Sequence, residues 1–402
     1  MADISQDILY LQQQVQSANI PADLRDRLNR MISRLSGLSK AGGSSSFQEL
    51  EMTSKYIEWI IQLPFNRYSQ DNLDIKNAKQ VLNDHHYGLD SVKENILEFI
   101  ATQSLKANSR GDSNTPGQQQ PQETSALSPN QSQQASANQQ AAANGKQTQK
   151  VAHAYNYIPG GTPVLCFVGV QGIGKTTMAK SIAESLGRRF VRIPLGAFAS
   201  VYEIRGRNKG EAGAEPGQLI KAIIKAGSMN PVILLDEIDK VSSQSGLRAD
   251  LMAALLEVLD PNQNHSFTDR YIDYPVDLSQ VLFITTANNL KGISAALLDR
   301  LEVIRFHSYT DKEKQVIAKQ YLMPKVREKT GITAEQLAIE EDTWELLIRP
   351  LGFDPGIRQL ERNLTNLCRK VAKMIVEGQV GKVVITRENF RDFFPEQIAV
   401  MS

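Results

Sequence analysis

Cysteine is scarce in this 402-residue chain, with two in all, at positions 166 and 368. Cys166 falls inside an apolar, strand-like run and Cys368 inside a helix-like segment beside Arg369 and Lys370, so both read as reduced core thiols rather than redox or metal ligands. Long apolar runs are missing too. None approaches the roughly 18 residues of a membrane helix, and the opening Met-Ala-Asp-Ile-Ser-Gln-Asp has neither the basic nor the apolar region of a secretion signal. The expectation is a cytoplasmic protein with no membrane partner. A net charge is also lacking: 45 Lys and Arg stand against 44 Asp and Glu, leaving +1. No global field draws the chain to nucleic acid, and no basic stripe with interleaved aromatics supports such binding. No Ser/Lys or Ser/His/Asp constellation is found, because Ser39-Lys40 sits in a Gly/Ser-rich stretch and the five histidines have no nucleophile context.

What is present is enough apolar sequence, 41%, to bury a sizeable core in two or three domains. Residues 1–70 read as an N-terminal helical segment. Ile8, Leu9, Leu11 and Val15, then Leu24, Leu28, Ile32 and Leu35, recur at helical spacing, Gly37 to Ser46 reads as a hinge, and Met52, Ile57, Ile60 and Ile61 mark another amphipathic stretch ending at Pro64. From Asn108 to about Lys150 the sequence turns to Gln, Asn, Ser and Ala with Leu127 as the one large aliphatic, a composition that cannot offset its ordering entropy, and residues 107–152 read as a disordered insertion. Around it, residues 71–308 read as an α/β core. Val164 to Val168, Phe190 to Ile193, Val232 to Leu235, Val281 to Thr286 and Val303 to Phe306 are near-continuous apolar runs, expected of parallel strands covered on both faces. Residues 309–402 return to helices behind a capping box of Thr310 and Glu313.

Gly169-Val170-Gln171-Gly172-Ile173-Gly174-Lys175-Thr176 is a complete G-x-x-x-x-G-K-[ST] phosphate loop, with a strand before it and a helix after it carrying Ile182, Ala183 and Leu186 on one face. The glycines let backbone N–H groups turn toward phosphates, and the helix N-terminus adds its positive end. Lys175 is expected to neutralise the β- and γ-phosphates of ATP, Thr176 to ligate Mg2+, and Thr177 to complete the nucleotide-binding run. Val232-Ile233-Leu234-Leu235-Asp236-Glu237 is a buried strand ending in two carboxylates. Alternation along a strand would turn them to opposite sides, Asp236 toward hydrated Mg2+ and Glu237 toward the attacking water. The other reading is a helix-capping acidic pair, or pairing with Lys240.

Leu235-Asp236-Glu237-Ile238-Asp239-Lys240, Ala254 through Pro261, Leu297-Leu298-Asp299-Arg300, His86-Tyr87-Gly88-Leu89, and Leu360-Glu361-Arg362 through Leu367-Cys368-Arg369-Lys370 resemble the ATPase part of the Lon protease family, within the AAA+ superfamily. The resemblance runs from about Ser54 to Phe394, interrupted by the low-complexity segment. It implies a P-loop α/β core with a helical lid, ATP and Mg2+ as cofactors, and a homohexameric ring. It implies further that Asn288 is the sensor that holds water in line, Arg300 the finger that reaches a neighbouring subunit's γ-phosphate, Arg358 the lid's sensor, and His86 and Tyr87 the adenine-side residues. The bland readings are a turn-forming Asn288, an Arg300–Asp299 surface pair, an interdomain salt bridge for Arg358, and core packing for His86 and Tyr87.

Two departures from the family shape the functional expectation. The sequence ends at Ser402, shortly after Phe393-Phe394, where the family's serine–lysine peptidase domain would follow. The loop positions that carry an aromatic and an aliphatic residue in the family hold Glu211 and Ala212, which offer little apolar grip on a threaded polypeptide. The leading expectation is therefore a ring ATPase that remodels or disassembles a protein partner without a protease domain of its own. The alternatives are the unfolding subunit of a protease whose peptidase is a separate chain, and a nucleotide-gated scaffold.

Overall fold

The computed structural model describes residues 4–41, 45–111, 163–211, 213–241, 245–348 and 356–394. The expected disordered insertion lies outside them from residue 112 onward, and so does Ala212. The helices α1 (Ile4–Ser17), α2 (Ala22–Ala41) and α3 (Ser45–Gln62) pack on one another through Ile8, Leu11, Val15, Leu24, Leu28, Ile32, Leu35, Ile57 and Ile60. Two residues counted in the apolar spacing face out instead: Leu9 is 58% and Met52 57% exposed, each rotated off the face its neighbours share. Most of the expected hinge is helical, and residues 42–44 of it lie outside the described residues. Helix α2 continues through Gly37 to Ala41, since one glycine costs a helix only about 1 kcal/mol.

Helices α4 (Ile75–His85) and α5 (Asp90–Gly111) precede β1 (Val164–Val168), and α5 takes in residues 107–111, the first of those assigned to the insertion. Then follow α6 (Lys175–Ser185), β2 (Phe190–Pro194), α7 (Tyr202–Arg205), α8 (Gln218–Ala226), β3 (Val232–Asp236), α9 (Ser245–Leu259), a two-residue antiparallel pair of β4 (Phe267–Thr268) and β5 (Pro275–Val276), β6 (Leu282–Ala287), α10 (Ala295–Leu298) and β7 (Leu301–Arg305). The five long strands form one parallel sheet in the order β2-β3-β6-β1-β7. Each apolar run read from the sequence is one of these strands. Alternate residues bury on opposite faces: Cys166, Ile193, Ile233 and Leu235 in the cluster shared with the N-terminal helices, Leu165, Phe167, Leu234 and Ile284 in the cluster shared with α6 and the C-terminal region. Both cysteines are buried and unbridged, and burial raises both thiol pKa values.

The C-terminal region contains α11 (Asp311–Ile317), a π turn at Ala318–Leu322, α12 (Met323–Thr330), β8 (Leu337–Ile339), α13 (Trp344–Ile348), α14 (Arg358–Val376), β9 (Val383–Ile385) and α15 (Phe390–Phe393). The capping box forms as expected: the Thr310 hydroxyl accepts from Glu313 N–H, and Glu313 Oε2 accepts from Thr310 N–H at 2.8 Å. The region is helical with one addition, the parallel pair of β8 and β9, whose apolar triplets are too short to announce themselves as strands.

Two polar clamps join the parts. Arg188 and Asp71, both side chains fully buried, pair through two 2.6 Å bonds, and Arg188 also donates to the Gln280 carbonyl at 2.9 Å. On the other side, the Lys209 ammonium lies 3.6 Å from the centroid of the Tyr56 ring on α3 and 3.8 Å from Asp273, which also receives Arg27 of α2. Burial, helped by Arg27, lowers the Lys209 pKa to about 8.

Candidate functional site

The C-terminal ends of parallel strands are where open α/β sheets collect ligand-binding groups, and here they border a cavity of about 500 Å³. Its floor is the loop from β1 to α6. Gly174 caps α6 with φ +94, a left-handed conformation that a side chain would strain, and the N-terminus of α6, from Lys175 to Thr177, borders the cavity. Gln171, Gly172, Gly174, Lys175, Thr176 and Thr177 line the cavity. Gly169, Val170 and Ile173 of the same motif are not among its lining residues. The carbonyls of Gly169 and Val170 accept from Lys175 Nζ, the second at 3.0 Å, and Ile173 is fully buried with its carbonyl accepting from Tyr309 Oη at 3.2 Å. Lys175 Nζ also donates to Asn288 Oδ1 at 3.2 Å. Burial pushes the Lys175 pKa down and Arg358 adds to this, while Asp239, Asp236 and Glu237 oppose it.

The two carboxylates do not part by strand alternation as expected, and both line the cavity. β3 ends at Asp236, and Glu237 leaves the strand with φ +60 and ψ 49, left-handed for a residue with a side chain. The neighbouring strand holds it there: Thr286 Oγ1 accepts from the Glu237 N–H at 2.9 Å and donates to Asp236 Oδ1. Glu237 Oε1 then receives Lys240 Nζ at 2.9 Å, a pairing foreseen as the bland reading, yet Glu237 lines the cavity as well. Asn288 follows β6 directly and faces the same space. Its turn-forming alternative belongs to the next residue, since Asn289 Oδ1 accepts from Lys291 N–H at 2.9 Å.

The C-terminal region supplies the far wall. Arg358 is the first residue of α14, and the peptide before it is tied to the phosphate loop by the Ile357 N–H, which donates to the Gly172 carbonyl at 3.0 Å. A Cβ on Gly356 would stand 2.5 Å from the Gln171 carbonyl oxygen, so only glycine allows this approach. Ile317, Tyr321, Leu322, Lys325 and Glu361 complete that wall, several of them placed by the π turn. His86 and Tyr87 line the side near α6. His86 is buried and its pKa falls to about 4, mainly through burial, with His85 and Lys93 adding to the effect. His86 Nε2 and His85 Nδ1 both lie 3.0 Å from Ser181 Oγ.

Arg300 is not among the residues lining this cavity. It donates to the Ala296 carbonyl and to Asp260 Oδ2, each at 2.9 Å, and not to Asp299 as its bland reading held. Several neighbours of the site were not singled out from sequence. Asp239 Oδ2 accepts the backbone N–H groups of Asn288 at 3.0 Å and Asn289 at 3.3 Å, and Arg192 of β2 holds Asp236. Asp239 stood in a quoted motif, but its contact is with the segment just after β6, some fifty positions on, which no local pattern announces.

Residues 165–309 match the ATPase family associated with various cellular activities (AAA), and residues 328–384 match the Lon protease AAA+ ATPase lid domain. The Lon protease of Dictyoglomus thermophilum is 40% identical over 381 residues, covering 95% of this chain and 41% of that protein. The Lon protease of Lawsonia intracellularis is 37% identical over 391 residues (97% and 40%), and Lon protease 1 of Bacillus subtilis 36% over 392 residues (98% and 43%). The chain thus spans less than half the length of each of these relatives.

Proposed function

Since the chain belongs to the AAA ATPases and, among them, to the ATPase part of the Lon family, we propose that it hydrolyses ATP within a homohexameric ring to remodel or disassemble a protein partner. The observation that carries this reading is the convergence of Lys175, Asp236, Glu237, Asn288 and Arg358 on one cavity. The phosphate-loop amides and Lys175 hold the phosphates, Tyr87 and His86 flank the base, and Arg358 ties the lid to the nucleotide. Thr176 and Asp236 are the hard oxygen donors that suit Mg2+. Among the described residues no cluster of three or more His, Cys, Asp or Glu side chains would hold a metal without the nucleotide's help. When bound, Mg2+ offsets charge on the β- and γ-phosphates. Glu237 orients and polarises the attacking water, and Asn288, fixed by Asp239, keeps that water in line. Arg300, which does not line its own cavity, serves the neighbouring subunit. Exposed Glu211 near the loop tip gives a threaded chain little apolar hold, which favours partner remodelling over long processive translocation.

The name of the relatives favours a second reading, in which the same motor feeds polypeptide to a peptidase. Steady-state ATP turnover and light scattering separate these readings. Glu237→Gln is expected to lower turnover about 10²- to 10⁴-fold while leaving nucleotide binding intact. An unfolded protein added to the intact chain is expected to stimulate turnover weakly, and more strongly once Glu211→Tyr and Ala212→Ile are introduced together. Strong stimulation of the unaltered chain would favour the second reading, and an unassembled, inactive chain would leave neither.

A further inference from the structure

Asp236, the carboxylate assigned to Mg2+, has both oxygens engaged by protein donors. Thr286 Oγ1 donates to Oδ1. Arg192 meets Oδ2 with two nitrogens, Nε donating at 2.7 Å and Nη2 forming an ion pair at 2.6 Å. The register explains how it reaches. Pro194 pairs with Asp236 and Arg192 with Leu234, so Arg192 stands two residues back on the adjacent parallel strand with its side chain on the same face. β2 is an edge strand, and the Arg192 side chain remains 49% exposed while that of Asp236 is 8% exposed. One partner is therefore fixed in the core and the other can swing out. The chemistry is competitive. A guanidinium and a hydrated divalent cation seek the same lone pairs, and two cations on one carboxylate oxygen repel each other.

Resting on the ATPase reading, we propose that Arg192 is a positioning residue that occupies Asp236 Oδ2 and is displaced when the magnesium–nucleotide complex enters. It keeps Asp236 oriented and charge-paired beforehand, and it sets how much Mg2+ the site requires. Thr286, bound to the other oxygen, keeps the carboxylate in place while Arg192 leaves.

The test is fluorescence anisotropy of a mant-ATP probe on the full chain, titrated with Mg2+ and repeated in EDTA, for the unaltered protein, Arg192→Ala and Arg192→Gln, with circular dichroism to verify folding. Both variants are expected to reach half-maximal Mg2+-dependent binding at a concentration at least about threefold lower, with probe affinity in EDTA unchanged. Arg192→Lys, which keeps the charge but lacks the paired N–H geometry, should fall between. A Mg2+ requirement unchanged or raised in the folded variants would overturn the proposal, as would an equal loss of affinity with and without Mg2+, the sign of a merely structural arginine. If the unaltered chain fails to bind the probe at any Mg2+ concentration, the ATPase reading itself falls and the Arg192 proposal falls with it.

Discussion

Two side chains at the site are held in states they would not adopt alone, and both have measurable consequences. Glu237 sits at φ +60, which costs a residue with a Cβ about 1 kcal/mol or more. Its half-exposed pairing with Lys240 returns about 1 kcal/mol at most. Glu237→Gly is therefore expected to raise the urea midpoint slightly, or leave it unchanged, while abolishing turnover; a clear loss of stability would show that the backbone is not strained there. His86 is kept neutral by burial, with its pKa lowered from 6.5 to about 4. The unfolded chain then takes up the proton first, so this contribution is complete above about pH 6.5 and is lost as the pH falls toward 4. The difference corresponds to roughly 3 kcal/mol. Denaturation midpoints at pH 7.5, 5.5 and 4.5 should fall less steeply for His86→Gln than for the unaltered chain.

Strands were legible because burial on both faces makes a parallel strand a solid apolar run, and the phosphate loop because its spacing is local. What brings the loop under the C-terminal helices is not local. Gly356 and Ile357 lie more than 180 positions from Gly172 in sequence, and nothing in Gly356-Ile357-Arg358 announces that its backbone will touch another backbone. Glu237 shows the opposite limit: alternation was expected to turn it away from Asp236, but Thr286 accepts its N–H, the strand ends at Asp236, and both carboxylates line the cavity. Gly356→Ala tests the contact between elements. Its methyl group would press on the Gln171 carbonyl and displace the start of α14, losing the Ile357 to Gly172 bond. ATP affinity by anisotropy is expected to weaken roughly three- to tenfold, with little change in the melting of the core.

At the scale of the proposed ring, Arg300, which lies outside the lining of its own cavity, makes a prediction about mixtures. Arg300→Ala chains and Glu237→Gln chains should each hydrolyse ATP poorly alone, the first by about 10³-fold if its role matches that of other arginine fingers. Mixed before assembly, they should recover a measurable share of turnover, since some cavities then combine a sound Glu237 with a neighbour's sound Arg300. No recovery in rings shown to be mixed would place Arg300 in a structural role through Asp260. The Lys209 contact bears on how such a ring would move. The loop that presents Glu211 is moored to α3 through the Tyr56 ring and to α2 through Asp273 and Arg27. Any stroke of that loop away from its mooring gives up a cation–π contact of about 0.5–2 kcal/mol and strips Asp273 of one of its two cations. The N-terminal helices and the loop thus share one aromatic and ionic contact, so a displacement of either is felt by the other.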